Sequence, residues 1–201
     1  MEVKIRAITS NQEVVDRCRV TVWKDSLGHE PSKTFMNNIY FSEHSPIRDK
    51  MFVIELRGIP YWLSVHLVRH SQGVTPYVSS QRDDRHDNPI PREQLPQGEL
   101  VNMDMTLNAQ AMINISRKRL CRMASKETRE VWEQVIKELY KIDEELAKNC
   151  VPNCVYRGGI CPEGKNGCKF NQTEVFKQEL IGYLFGHSDN TYYKGDLYDN
   201  K

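Results

Sequence analysis

The sequence predicts a mixed α/β protein of the α+β kind, with helices dominating its C-terminal half. Three observations lead there. Val3-Lys-Ile-Arg-Ala-Ile alternates apolar and polar residues, as a half-buried strand does. Lys50-Met-Phe-Val-Ile-Glu-Leu is rich in strand formers and is followed by Gly58. From Ser125 onward, Val131, Val135, Leu139, Ile142 and Leu146 recur at helical spacing.

Taken in order, Val3 opens the first strand. Asn11 can cap a helix running to about Trp23, with Val14, Val15, Cys18 and Val22 on one face. Lys33 to Tyr40 suits a second short helix. The strand from Lys50 to Leu56 closes at a turn on Gly58, and Pro60 suits the first turn of a helix reaching about His70. Asp83 to Gly98 holds three prolines and little apolar content, so it reads as a loop. Asp104 or Thr106 can cap a helix over Leu107 to Leu120, and Ser125 caps the long amphipathic helix that reaches about Lys148. Thr173 to about Phe185 forms a last helix before a polar, frayed tail. The expected organisation is one unit over 1–148, with a Cys-rich loop and terminal helix, 149–201, packed on it.

With 201 residues the chain can bury a substantial core. A net charge of +1 disfavours wholesale nucleic-acid or membrane binding, and leaves room for a local cationic pocket. No stretch approaches the ~20 apolar residues of a membrane span, and the N-terminus has no signal-peptide run. The expectation is a soluble cytoplasmic protein with reduced thiols.

The densest chemistry lies in Leu67-Val-Arg-His-Ser-Gln-Gly-Val-Thr-Pro-Tyr-Val-Ser-Ser-Gln-Arg82. An apolar segment delivers an Arg-His pair into a Gly/Pro/Ser/Thr-rich loop. Ser79, Ser80, Gln81, Arg82 and the loop's N–H groups are the donors an anion needs. The segment resembles the signature of flavin-dependent thymidylate synthases, RHRxxSxNxxSxR. Arg69, His70 and Ser79 match it; Ser71, Val74, Pro76 and Gln81 depart from it. Downstream, Arg92, Leu95-Pro96, Asn108, Asn114, Arg119, Ala124, Glu127 and Arg129 follow the order and spacing of that family without a gap. Upstream, Ser45-Pro46 is similar to its Thr/Ser-Pro element. About a hundred residues, Phe41 to Lys137, can be laid on the family. Between Arg82 and Arg92 the chain lacks a helical segment that members usually carry.

The resemblance implies an antiparallel or mixed sheet flanked by helices. It implies reductive methylation of dUMP to dTMP through bound FAD, with methylenetetrahydrofolate and NADPH as co-substrates. Arg119 would be the catalytic group, a guanidinium at the pyrimidine edge that stabilises charge developing on the ring. His66, Arg69, Ser79, Ser80, Gln81, Arg82 and Arg92 would join it in holding dUMP. Ser45, Arg69, His70, Ser71, Asn108, Gln110 and Asn114 would hold FAD. Members are homotetramers with sites built from several subunits, so a homo-oligomer is expected. Ser71 and Gln81 each replace an arginine, Tyr77 stands where many members have Glu, and Arg48 stands near a usual flavin-contacting Glu. Each lost charge-assisted contact costs ~1.5–3 kcal/mol. A non-catalytic flavin- or nucleotide-binding homologue, or a flavin enzyme acting on another pyrimidine nucleotide, therefore stays open.

Helix geometry adds to this independently. Asn108 and Arg119 are eleven residues apart, so on a helix they differ by only ~20° and lie ~16 Å apart along it. That suits opposite ends of a large ligand. Four cysteines pose a separate question. Cys150, Cys154, Cys161 and Cys168 fall within nineteen residues amid glycines and prolines, a setting for a structural Zn²⁺, an iron–sulfur cluster, an oxidised pair or unligated thiols. His66 and His70, four apart, have the spacing of a two-histidine metal site, but two hydrogen-bonded histidines explain them better.

Overall fold

The structure is a computed structural model and describes residues 1–85 and 90–185. Its centre is a four-stranded sheet of β1 (Glu2–Ala7), β2 (Met51–Pro60), β3 (Val74–Val78) and β4 (Leu100–Asn108). The strand order is β1-β2-β4-β3, and every pairing is antiparallel. The helices are α1 (Asn11–Val20), α2 (Lys33–Phe41), α3 (Tyr61–Val68), α4 (Ala109–Arg119), α5 (Lys126–Ile142), α6 (Glu144–Asn149), α7 (Asn153–Tyr156) and α8 (Glu174–Phe185). The mixed α/β class with a helix-rich second half is thus observed.

Two strands were missing from the sequence reading. The stretch after Arg69-His70 is not all loop, because Val74–Val78 pairs with β4 along its whole length. The helix expected over Leu107 to Leu120 begins only at Ala109, and the residues before it form the central strand β4. Asn108, not Asp104 or Thr106, is its cap, with Oδ1 accepting the Ala111 N–H at 2.8 Å. Val101, Met103, Met105 and Leu107 are buried while Asn102 is exposed and Asp104 and Thr106 are half-buried, a period-two pattern.

Three boundaries also move. Ser10, not Asn11, caps α1 through a capping box with Glu13, and α1 stops at Val20, leaving Val22 exposed. Strand β2 runs through Gly58, whose φ of +69° admits an irregularity between Leu56 and Ile59 and lets pairing resume. The long terminal helix breaks at Asp143, which ends α5 and caps α6. Its carboxylate accepts the Leu146 N–H (3.1 Å) and the Tyr40 hydroxyl (2.9 Å), with Lys50 Nζ 3.9 Å away. Burial pushes the Asp143 carboxyl up and the Lys50 ammonium down.

One face of the sheet is the core. Phe52, Ile54, Leu56, Met103, Met105 and Leu107 are fully buried with Leu63 and Leu67 of α3 and Trp132, Val135 and Leu139 of α5. Trp132 donates its indole N–H to Ser116 Oγ (2.9 Å), which donates to the Met112 carbonyl (2.7 Å), locking α5 to α4. A smaller cluster of Val151, Cys154, Val155, Phe170 and Phe176 lies in the C-terminal segment. The expected polar tail beyond Phe185 lies outside the described residues. Among them, no helix is long and apolar enough to cross a membrane.

Candidate functional site

Helix α4 organises two of three polar regions. Its N-terminus borders a cleft of about 600 Å³ lined by Glu43, Arg48, Gln72, Gly73, Asn108, Gln110 and Asn114. This volume falls in the range of small-molecule sites, about 300–1,000 Å³. The turn from α3 to β3 forms one wall, and Gly73 is there for two reasons. Its φ is +70°, and a Cβ would lie 2.6 Å from Asn108 Nδ2. Asn108 in turn donates its backbone N–H to the Gly73 carbonyl (3.1 Å).

Behind the cleft lies a half-buried ion pair. Arg117 donates to both the Glu43 carboxylate and Asn114 Oδ1, the latter at 3.1 Å, and stacks 3.5 Å over the Tyr156 ring. Gln110 Nε2 donates to the other Glu43 oxygen. Glu43 sits at φ +49°, a left-handed conformation directly after α2. These bonds hold Gln110 and Asn114 in place from behind.

The C-terminus of α4 carries the second region. Arg119 Nε donates to His70 Nε2 at 2.9 Å, and Arg119 Nη2 donates to the His66 carbonyl. Because a guanidinium only donates, His70 must present a bare Nε2. Burial first, then the charges of Arg119 and Lys118, push His70 down to about 4, which keeps it neutral at physiological pH. Burial and Arg119 lower His66 as well; its Nδ1 lies 3.3 Å from the Thr128 hydroxyl. Burial and the neighbouring Arg69 lower the Arg119 guanidinium. Among the described residues, Arg119 Nη1 has no protein acceptor.

The third region is at the far end of β3. Arg57, Tyr77, Val78, Ser79, Asn102 and Asp104 line a cleft of about 320 Å³. Ser79 is tied to the Asn102 backbone by three bonds of 2.9–3.2 Å. Ser80 Oγ accepts the Arg82 N–H (3.2 Å), and the Arg82 guanidinium forks onto Asp84 at 2.8 Å twice. Arg92 is exposed and its N–H donates to Asp83 (2.9 Å).

The expected residues are therefore distributed. Asn108, Gln110 and Asn114 share one cleft; Arg119, His66 and His70 share a hydrogen-bonded group with Arg69 beside it. Ser79, Ser80, Gln81 and Arg82 lie beyond β3, the nearest of them, Ser79, about 20 Å along the chain from Gly73 at ~3.4 Å per residue. Ser45 begins the 3₁₀ turn Ser45–Asp49 that supplies Arg48 to the first cleft, and Ser71 is exposed two residues before Gly73. Sequence reasoning missed Glu43, Gln72, Gly73 and Arg117. A glycine directly before an alternating segment was a readable sign of a tight turn at 73; the role of Arg117 was hidden among its polar neighbours.

The cysteine set needs one correction. Cys150 is completely buried in the main core, hydrogen-bonded to Ser116, and burial pushes its thiol up to about 12. It stands apart from Cys154, Cys161 and Cys168. Among the described residues, no group of three or more His, Cys, Asp or Glu side chains could hold a metal ion.

No family model matches the chain. A flavin-dependent thymidylate synthase of Clostridium tetani (strain Massachusetts / E88) is 36% identical over 63 residues, which is 31% of this chain and 24% of that protein. The matched stretch is thus about a quarter of that relative's length. Among solved structures, ThyX from Helicobacter pylori, complexed with FAD and dUMP, superposes with a TM-score of 0.62 at 14% identity, covering 75% of this chain and 100% of that one. The UMP/dUMP methylase PolB from Streptomyces cacaoi, bound with 5-Br dUMP, gives 0.59 at 17% identity, covering 74% and 93%. This chain has the fold of the flavin-dependent thymidylate synthases and, over a short stretch, a sequence that resembles theirs.

Proposed function

We propose that the protein is an FAD-dependent methyltransferase of the thymidylate synthase type, converting dUMP to dTMP with methylenetetrahydrofolate and NADPH. The observation that carries this reading is Arg119, a partly desolvated guanidinium held by neutral His70 and the His66 carbonyl. Its remaining donors suit the acceptor edge of a pyrimidine. Fixed in advance, such a charge stabilises an enolate-like ring without reorganising at the moment of reaction.

The α4 cleft fits a flavin by its donor set. Gln72, Asn108, Gln110 and Asn114 offer carboxamides that donate and accept, as the amide-like edge of the ring requires, and Arg48 offers a cation for phosphate. Bound FAD would supply the one-carbon transfer and the hydride. This chain's residues would bind, orient and polarise. Arg69, Ser45 and Ser71 flank that cleft in sequence and would complete the flavin contacts. Ser79, Ser80, Gln81, Arg82 and Arg92 would hold the nucleotide phosphate, with Arg82 standing in for the cation that Gln81 lacks.

The separation of these groups within one chain supports a homo-oligomer in which each site draws on more than one subunit. On this reading residues 1–148 form the catalytic unit, and the described part of the C-terminal segment, 149–185, packs on it. Purified protein incubated with dUMP, methylenetetrahydrofolate and NADPH should retain flavin absorbance and yield dTMP. A protein that binds flavin but methylates no pyrimidine nucleotide would reduce the reading to a binding module. UMP belongs in the same assay, because one structural neighbour is named a UMP/dUMP methylase.

A further inference from the structure

Three carboxamides at the start of α4 line the same cleft, and each is already committed at one of its two atoms. Asn108 Oδ1 accepts the Ala111 N–H at 2.8 Å. A backbone N–H only donates, so the oxygen is fixed at the helix start and Nδ2 is left to offer. Gln110 Nε2 donates to the Glu43 carboxylate, which only accepts, so Gln110 has Oε1 left to offer. Arg117 donates to Asn114 Oδ1 at 3.1 Å, and a guanidinium has no acceptor, so Asn114 has Nδ2 left to offer. Among the described residues, none of the three remaining atoms has a hydrogen-bond partner.

An unrestrained carboxamide can flip and exchange donor for acceptor. Here the flips are blocked. Gln110 and Asn114 are neighbours one helical turn apart, and the ion pair of Glu43 with Arg117 ties both from behind. The C-terminal segment clamps that pair in turn. Tyr156 of α7 stacks 3.5 Å from the Arg117 guanidinium. Tyr183 of α8 packs on Phe41, two residues before Glu43, with ring centroids 5.1 Å apart. The wall thus presents two donors and one acceptor whose identities are set before any ligand arrives.

We propose that this cleft recognises an imide edge, O=C–NH–C=O, and that Glu43, Arg117 and Tyr156 are positioning residues that fix the polarity of its wall. Two carbonyls need two donors, and the N–H between them needs one acceptor, which is the set presented. The inference deepens, and rests on, the reading that the cleft holds a flavin, whose ring carries such an imide. Uracil carries the same edge, so the test separates the two sources.

The test is ligand affinity, read by titrating full-length protein freed of copurified flavin. FAD should bind about tenfold more tightly, or better, than its N3-methyl analogue, which lacks the central N–H. Asn114→Asp keeps the shape and the Arg117 bond but turns a donor into an acceptor. It should weaken FAD by about tenfold or more, with an unchanged circular dichroism spectrum. Glu43→Gln frees Gln110 to flip, so the preference for FAD over the analogue should shrink. Tyr156→Leu should weaken FAD about 2- to 30-fold, the range of one cation–π contact, while Tyr156→Phe should bind as the wild type does. Equal binding of FAD and its analogue, or an Asn114→Asp protein that binds FAD as tightly as the wild type, overturns the inference. If FAD does not bind and dUMP does, more tightly than dCMP and with the same dependence on Asn114, the imide site stands and the flavin reading falls. If neither binds, both fall.

Discussion

At the scale of single residues, the pair Arg119–His70 makes the sharpest claims. On the proposed function, truncating Arg119 to Ala removes the donor for the pyrimidine, and kcat should fall about 10²–10³-fold, the loss typical of one preorganised donor. Flavin absorbance should survive, since the cleft lies at the other end of α4. His70 adds a pH dependence. Burial and two cations hold it at about 4, below its ordinary 6.5. As pH falls, the unfolded chain takes up the proton first, so stability is complete above about 6.5 and is lost progressively toward about 4. Urea denaturation across that window should record this slope, and His70→Gln, which keeps an acceptor but cannot titrate there, should flatten it.

At the scale of elements, the turn between α3 and β3 is the critical piece. Gly73→Ala places a Cβ 2.6 Å from Asn108 Nδ2 on a backbone at φ +70°. The left-handed conformation alone costs about 1–2 kcal/mol, and the displaced Asn108 should weaken flavin binding in a titration followed by absorbance. The same region shows how far the sequence could be read. Strand β4 alternates cleanly from Val101 to Asn108, yet Asp104 and Thr106, both cap-forming residue types, set the expected helix start too early. Strand β3 was obscured by Pro76, which a sheet accepts at an edge, and β3 is an edge strand. Val131, Val135 and Leu139 announced α5 by periodicity alone. The break at Asp143 was hidden, because it depends on a bond from Tyr40, 103 positions away in sequence. The motif residues were legible as residue types. Their division among three regions was a matter of strand direction, which no motif records.

At the scale of the whole molecule, that division predicts complementation. On the proposed reading, Arg119→Ala and Arg92→Ala proteins should each be inactive alone. Refolded together, they should regain dTMP formation if a site takes these two arginines from different chains; an inactive mixture would place both in one chain. Helix α4 sets a further constraint. It joins the cap at Asn108 to the guanidinium at Arg119 with no glycine or proline between them, so it works as a rigid ruler. Inserting one alanine within it advances everything downstream by ~1.5 Å and turns it by ~100°. Arg119 would swing off His70, and Ser116 would leave Trp132. A scan of single-residue insertions should therefore find α4 far less tolerant, in folded yield, than the Asp83–Gly98 stretch.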